Sequence, residues 1–207
     1  MATQTLNFTE AASEADLESL AARLRARNFE VVIVDSAAEA KVAVMERIPE
    51  GAQVHSGKSK TLEDAGVFME LMESEKHDFI RKRTLKMDRR AQANEIRKLG
   101  AAPDVMLGSV QAVTEEGQLV VTSASGSQIG PYASGAGRLI LVIGSQKIVP
   151  DLAAAFRRIE EHVFPWEDAR LREQLGIGTM ITRTLIIERD YYPGRTTVVL
   201  VREPIGV

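Results

Sequence analysis

The sequence of 207 residues contains no cysteine. This absence excludes disulfide bonds, a thiolate nucleophile, a zinc–thiolate site and iron–sulfur ligation by the chain. It is typical of a reducing compartment. Residues 1–10 lack the basic segment and the apolar segment of a secretory signal, and no apolar run approaches the roughly 18 residues of a membrane span. We therefore expect a cytoplasmic protein without membrane insertion.

Histidine is also scarce, and the charge is nearly balanced. The three histidines form no i,i+4 pair, so no metal site is predicted. The formal net charge is −3, and the basic run at 81–90 has no interleaved aromatic residues. This pattern favours a solvated helix face over a nucleic-acid surface.

The composition is that of a globular protein, with 44% hydrophobic and 27% charged residues. The length indicates one domain over 1–207, within which the N-terminal helices at about 10–47 could form a subregion.

Hydrophobic periodicity predicts alternating helices and strands for most of the length. The predicted helices are 10–27, 36–47, one that opens at 61–64, 78–98, 150–162 and 166–175. The predicted strands are 30–35, 52–55, 104–107, 118–122, 138–143, 185–187 and 196–201. This order predicts a three-layer α/β fold: a mostly parallel sheet with helices on both faces, and short antiparallel strands near the C-terminus.

A first candidate site follows the strand at 52–55. Its residues are Gly57, Lys58, Ser59 and Thr61. Five residues separate Gly51 from Gly57, one too many for a nucleotide-binding P-loop. A small-residue turn before a helix still offers backbone N–H groups and lysine charge to an anion. The alternative is a plain turn in which Ser59 or Thr61 caps the helix.

A second candidate site is the small-residue stretch 122–137, which lies between two predicted strands. It is longer than an ordinary connection, and its small side chains would let a ligand approach the backbone. The polar or flexible candidates in it are Ser123, Ser125, Gly126, Ser127 and Gln128. The alternative is a surface loop, or a short helix beginning after Gln128.

Two further candidates are single turns. Gly144 and Lys147 follow the clearest strand and precede a helix, where a lysine could meet an anion. Glu115 stands beside Glu116-Gly117, where a carboxylate could act as a nucleophile or base. The alternatives are a capped turn at 144–151 and a hairpin turn at 115–117.

Three segments together resemble the LUD-domain family, named for lactate utilisation. Residues 112–120 (AVTEEGQLV) are similar to its A-(I/V)-T-E-x-G-x-L-V segment, and residues 141–149 (LVIGSQKIV) to its V-V-(V/I)-G-x-x-K-I-V segment. Residues 56–66 (SGKSKTLEDAG) are similar to its G-x-S-x-T-L-x-x-x-G element, and 178–179 and 193–195 to a tail of one branch.

The resemblance implies a ribose-5-phosphate isomerase or CoA-transferase-like fold, and a place beside iron–sulfur proteins that oxidise lactate to pyruvate. Without cysteine, this chain would need partner proteins to carry such clusters. Three functions stay open. The chain could bind a small carboxylate, phosphate ester or CoA ester without a covalent cofactor. It could be an isomerase or acyl/CoA transferase that uses the glutamate at 115–116. It could be a structural or regulatory subunit of an oligomer.

Overall fold

The computed structural model describes residues 7–207, so the N-terminal segment in which no secretory signal is predicted lies mostly outside it. The ten strands of this part of the chain are β1 Glu30–Val34, β2 Gln53–Ser56, β3 Asp78–Phe79, β4 Val105–Gly108, β5 Ala112–Thr114, β6 Leu119–Ser123, β7 Arg138–Gly144, β8 Ile148–Val149, β9 Arg183–Ile187 and β10 Thr196–Val201. The eight α-helices are α1 Glu14–Arg25, α2 Ala37–Met45, α3 Lys60–Asp64, α4 Val67–Glu73, α5 Ile80–Thr84, α6 Ala93–Ala101, α7 Leu152–Arg158 and α8 Phe164–Leu175.

The main sheet has six strands in the order β1, β10, β7, β4, β2, β3, and every neighbouring pair is parallel. A second sheet has the order β8, β5, β6, β9, with β6 antiparallel to both of its neighbours. This architecture confirms the predicted α/β fold with a mostly parallel sheet flanked by helices.

The main sheet is buried on both faces, which explains why its central strands are continuous apolar runs. Side chains of a strand alternate between faces. In β7, Leu139, Leu141 and Ile143 therefore pack with α1 and the second sheet, whereas Ile140 and Val142 pack with α2, α3 and α4. A third, smaller core joins the outer face of the second sheet to α7.

The C-terminal strands enter different sheets. Strand β9 pairs antiparallel with β6 in the second sheet, in agreement with the antiparallel strands predicted near the C-terminus. Strand β10 instead lies between β1 and β7 in the main sheet, parallel to both. The turn at Pro193-Gly194 therefore joins the two sheets rather than two strands of one hairpin.

The single helix predicted over 78–98 is wrong. Residues 78–79 form β3 beside β2, and two short helices follow with a turn between them. The Asp88 carboxylate accepts backbone N–H bonds from Arg90 at 2.8 Å and Ala91 at 2.7 Å. An aspartate that bonds its own following backbone competes with continued helix, which explains the break.

No helix within residues 7–207 combines the length and the apolar character needed to cross a bilayer.

Candidate functional site

A cavity of about 270 Å³ opens where three neighbouring strands of the main sheet end. Strands β2, β4 and β7 run parallel, so their carboxyl ends meet at one edge, and the turns that follow all reach the cavity. The end of β6 in the second sheet supplies another wall. Ligands of open α/β sheets bind at this edge.

The turn after β2 forms the first wall. Ser59 caps α3, and its hydroxyl accepts the Leu62 N–H at 3.4 Å, as in the capped-turn alternative. The Thr61 side chain is buried and points away from solvent toward Lys147. Lys58 is exposed at the rim, and Lys60 forms an ion pair with Asp64. The turn therefore combines a cap with groups that face the cavity.

Lys147 forms the floor. It ends the 3₁₀ turn Ser145–Lys147 after β7, and it is 2% exposed. Its Nζ donates to Thr61 Oγ1 at 2.8 Å, to Ser109 Oγ at 3.0 Å and to the Val110 carbonyl at 3.3 Å. These three neutral acceptors match the three hydrogens of an ammonium group.

The environment of Lys147 disfavours its charge. Burial, and secondly the positive charge of Arg158, lower the pKa of Lys147 from 10.5 to about 7, while Asp64 acts in the opposite direction. Desolvation has this effect on any basic group removed from water. The side chain therefore loses its proton far more readily than an exposed lysine does.

A second buried cation lies nearby on α7. Arg158 is fully buried, and its guanidinium group donates to the carbonyls of Gln111 and Phe8. Its Nε has no hydrogen-bond partner, and burial lowers the pKa of Arg158 to about 10. Across residues 7–207, neither Lys147 nor Arg158 takes part in an ion pair. Two buried basic groups thus lack a carboxylate partner in the part of the chain that the structure describes, and of the two Lys147 lines the cavity itself.

The loop after β6 forms the opposite wall, and its own hydrogen bonds hold it in place. The Ser123 hydroxyl accepts the Gly126 N–H at 2.9 Å and donates to Gln128 Oε1 at 2.9 Å. Gln128 Nε2 donates to the Thr122 carbonyl at 3.3 Å. Ser123, Ser125 and Gln128 line the cavity, whereas Gly126 and Ser127 do not.

The second half of the 122–137 stretch has a packing role. Residues Pro131–Gly135 form a single π-helical turn, close to the short helix that the alternative reading expected after Gln128. Tyr132 is buried, accepts the Ser109 N–H at 3.2 Å and donates to the Ser109 carbonyl at 3.3 Å. This tyrosine therefore fixes the backbone of a residue that contacts Lys147.

A third wall was not foreseen from the sequence. It comes from the helix that continues α7 into α8 and from residues 179–181, and it includes Trp166, Glu167, Arg170 and Met180. The Arg170 guanidinium lies 5.7 Å from the centre of the Trp166 ring, and its Nε donates to Glu167 Oε2 at 2.8 Å. A charged helix face is normally read as solvent-exposed, so no local signal marked this wall.

Two further candidates predicted from the sequence, besides Gly126 and Ser127, lie outside the cavity lining. Glu115 is exposed in the turn between β5 and β6, where its N–H donates to the Val149 carbonyl at 2.8 Å. This turn is the hairpin of the alternative reading. Gly144 lies at the end of β7, where a Cβ atom would come within 2.7 Å of the Ile205 backbone nitrogen. The close approach explains the glycine without a ligand.

His55 is partly buried and does not line the cavity. Burial and then Arg81 lower the pKa of His55 to about 4, and its Nδ1 has no partner. Within residues 7–207 there is no group of three or more His, Asp or Glu side chains arranged to hold a metal ion.

The comparisons with known proteins agree with this architecture. The family model described as the LUD domain matches residues 17–201. The structure is similar to the crystal structure of a DUF162 family protein from Deinococcus radiodurans, with a TM-score of 0.51 and 15% identity over 92% of this chain and 99% of that one. At this identity the likeness concerns the fold alone.

A second structure, ribose 5-phosphate isomerase A from Neisseria gonorrhoeae, matches with a TM-score of 0.31 and 13% identity, over 69% of this chain and 57% of that one. No curated protein matches the sequence.

Proposed function

The chain belongs to the LUD-domain family, and from this premise we propose that it binds a small anionic metabolite, a carboxylate or a phosphate ester, in the cavity above Lys147. The observation that carries the proposal is the pair of buried cations, Lys147 and Arg158, without a carboxylate partner in the part of the chain that the structure describes. An uncompensated buried charge is costly, and a bound anion offsets that cost.

The other walls support the same ligand class. Hydroxyl and amide groups of Ser123, Ser125 and Gln128 line the cavity opposite the lysine, and Lys58 stands at its rim. Donors around a cationic floor are the groups that recognise carboxylate and phosphate oxygens. A volume of about 270 Å³ is at or below the low end of ligand pockets, roughly 300–1,000 Å³. It favours a small carboxylate or sugar phosphate over a whole CoA ester.

The family's association with lactate utilisation makes lactate and pyruvate the first ligands to test. In such a role the protein would act beside partners, because a chain without cysteine holds no iron–sulfur cluster of its own.

Isothermal titration calorimetry with lactate, pyruvate, inorganic phosphate and ribose 5-phosphate tests the proposal. We expect Lys147→Met to weaken binding by about 10- to 100-fold, which is the change in affinity that the loss of one charge-assisted hydrogen bond produces. The exposed Lys98→Met, which removes the same charge outside the cavity, should leave affinity unchanged. Gln128→Glu, which puts a carboxylate in the wall without touching Lys147, should also weaken binding.

The affinity for lactate or phosphate should fall as the pH rises above about 7, because Lys147 then loses its proton. If none of the four anions bound, or if Lys147→Met and Gln128→Glu both bound like the wild type, the proposal would be wrong.

A further inference from the structure

Lys147 differs from the other lysines at the cavity in how its amine is held. Three lysines of residues 7–207 line the cavity, namely Lys58, Lys60 and Lys147. Lys58 is exposed, and its Nζ lies 3.4 Å from Gln174 Oε1. Lys60 forms an ion pair with Asp64. Of these three lysines, only Lys147 is both buried and without a carboxylate partner. These are the surroundings in which lysines act as nucleophiles.

We propose that the Lys147 amine forms an imine with the carbonyl carbon of the bound anion, so that the ligand is a small carbonyl compound bearing a carboxylate or phosphate group. A 2-oxo acid and an open-chain sugar phosphate both have this chemistry. The inference rests on the proposed anion-binding function and names the substrate class of the same cavity.

The protonation state of Lys147 supports this role. An ordinary lysine with a pKa near 10.5 is neutral in only about one molecule in three thousand at pH 7. Burial and Arg158 lower the pKa of Lys147 to about 7, so near neutral pH a far larger fraction of the molecules holds the nucleophilic amine. Arg158, with a pKa of about 10, stays charged at this pH, and its charge is close enough to act on Lys147. A positive charge therefore remains beside the cavity when Lys147 is neutral.

The reaction needs only groups that are present. The Nζ lone pair bonds to the carbonyl carbon while the π electrons move to the oxygen, which takes up a proton. The hydroxyls of Thr61 and Ser109, at 2.8 Å and 3.0 Å from Nζ, are placed to pass the proton from nitrogen to oxygen. A second proton, taken up from solvent, then lets this oxygen leave as water while the nitrogen lone pair forms the C=N bond of a protonated imine. Amine, carbonyl compound and one proton thus give protonated imine and water, and nothing is oxidised or reduced.

The positive charge of the imine product can be balanced within the cavity. A protonated imine carries the same single positive charge as the ammonium group that it replaces. The carboxylate or phosphate of the ligand balances that charge in a cavity whose lining also includes the polar side chains of Ser123, Ser125 and Gln128.

Reductive trapping tests the proposal on the full chain. The protein is incubated with pyruvate or with ribose 5-phosphate, reduced with sodium borohydride and analysed by intact mass and peptide mapping. We expect one adduct per chain, on the peptide that contains Lys147, formed faster as the pH rises from 6 to 8. Lactate and inorganic phosphate, which have no carbonyl group, should protect against it. Comparison of the two carbonyl compounds shows which anionic group the cavity prefers.

Three variants separate a chemical role from a purely structural one. Lys147→Arg should abolish the adduct, and Lys98→Met should not change it. Ser109→Ala keeps the nucleophile but removes one hydroxyl from Nζ, and we expect it to slow trapping roughly tenfold or more. Peptide mapping of the wild-type protein alone shows which lysine carries the adduct. The test therefore does not depend on whether any variant folds.

The outcomes distinguish the two proposals. Calorimetric binding of pyruvate or ribose 5-phosphate without an adduct at Lys147, or with label only on exposed lysines, would overturn the imine and leave anion binding standing. Absence of both binding and label would overturn both.

Discussion

Burial of the Lys147 ammonium group costs folding free energy, because the protein interior solvates a charge less well than water does. Its three hydrogen bonds, to Thr61, Ser109 and Val110, offset only part of that cost, since none of the acceptors carries a charge. Proteins keep such groups where they serve binding or chemistry. The residue is therefore the best single place to probe both stability and function.

The stability of the protein should depend on pH through Lys147. Between about pH 7 and pH 10.5 the unfolded chain holds a proton on this residue that the native protein has lost, so stability rises with pH. We expect the unfolding free energy of the wild type to rise relative to that of Lys147→Met by about 1 kcal/mol per pH unit in this window. Below pH 7 the difference should be constant.

Urea unfolding of both proteins at several pH values measures this difference, in which other titrating groups cancel. A difference that stayed flat from pH 7 to pH 10 would contradict the assigned environment of the lysine.

Sequence reasoning identified several of the residues at the cavity but not their contacts. Thr61 and Lys147 were both candidates, in separate turns, yet the bond between them spans 86 positions and has no local signal. Arg158 was missed because an arginine in an amphipathic helix is usually solvated. Glu115 drew attention as a carboxylate beside a glycine turn, a pattern that hairpin turns share. Its catalytic role stays a prediction.

At the scale of the element, the turns after β2, β4, β6 and β7 position the cavity, and packing beneath them fixes their course. The π-helical turn Pro131–Gly135 illustrates this. Its Tyr132 hydroxyl occupies the space beside Gly108, where a Cβ atom would lie 1.5 Å from it. The glycine at the end of β4 is therefore needed for this tyrosine to reach Ser109.

Gly108→Ala should destabilise the protein by about 1–3 kcal/mol, because the new methyl group forces Tyr132 out of its place. Gly130→Ala is the matched control: its Cβ would meet nothing within 4 Å, and its backbone is already helical. Chemical denaturation of the two variants provides the measurement, and equal midpoints would show that Tyr132 can move without cost.

Elements with strong apolar periodicity, such as α1 and β7, could be predicted from the sequence, because burial dictates their pattern. The segment 78–98 could not. Its charged residues suit a helix, but β3 and the Asp88 turn depend on pairing with β2 and on local side-chain bonds. The partition of β9 and β10 between two sheets likewise depends on distant strands.

In the whole molecule, the main sheet is the shared structure on which the cavity stands. Strand β10 is buried at every residue, and its Val198 and Leu200 face one core while Val199 and Val201 face the other. Loss of packing in this strand therefore affects both faces of the sheet.

Leu200→Ala should lower the unfolding free energy by about 2–5 kcal/mol, the usual cost of removing a buried leucine side chain. Leu175→Ala removes the same atoms from a position that is 61% exposed, and it should change stability by less than about 0.5 kcal/mol. Thermal unfolding compares the two, and a similar melting temperature for both would contradict the central place of β10.

The position of β10 also governs how this protein can fold during synthesis. The strand at residues 196–201 separates β1 from β7, so those two strands have no direct hydrogen bonds to each other. Until β10 has been synthesised, the backbone groups of β1 and β7 that pair with β10 in the native sheet therefore lack this partner. The native six-stranded sheet can form only once residues 196–201 are outside the exit tunnel. Translation thus sets the earliest moment at which the cavity, which stands on that sheet, is complete.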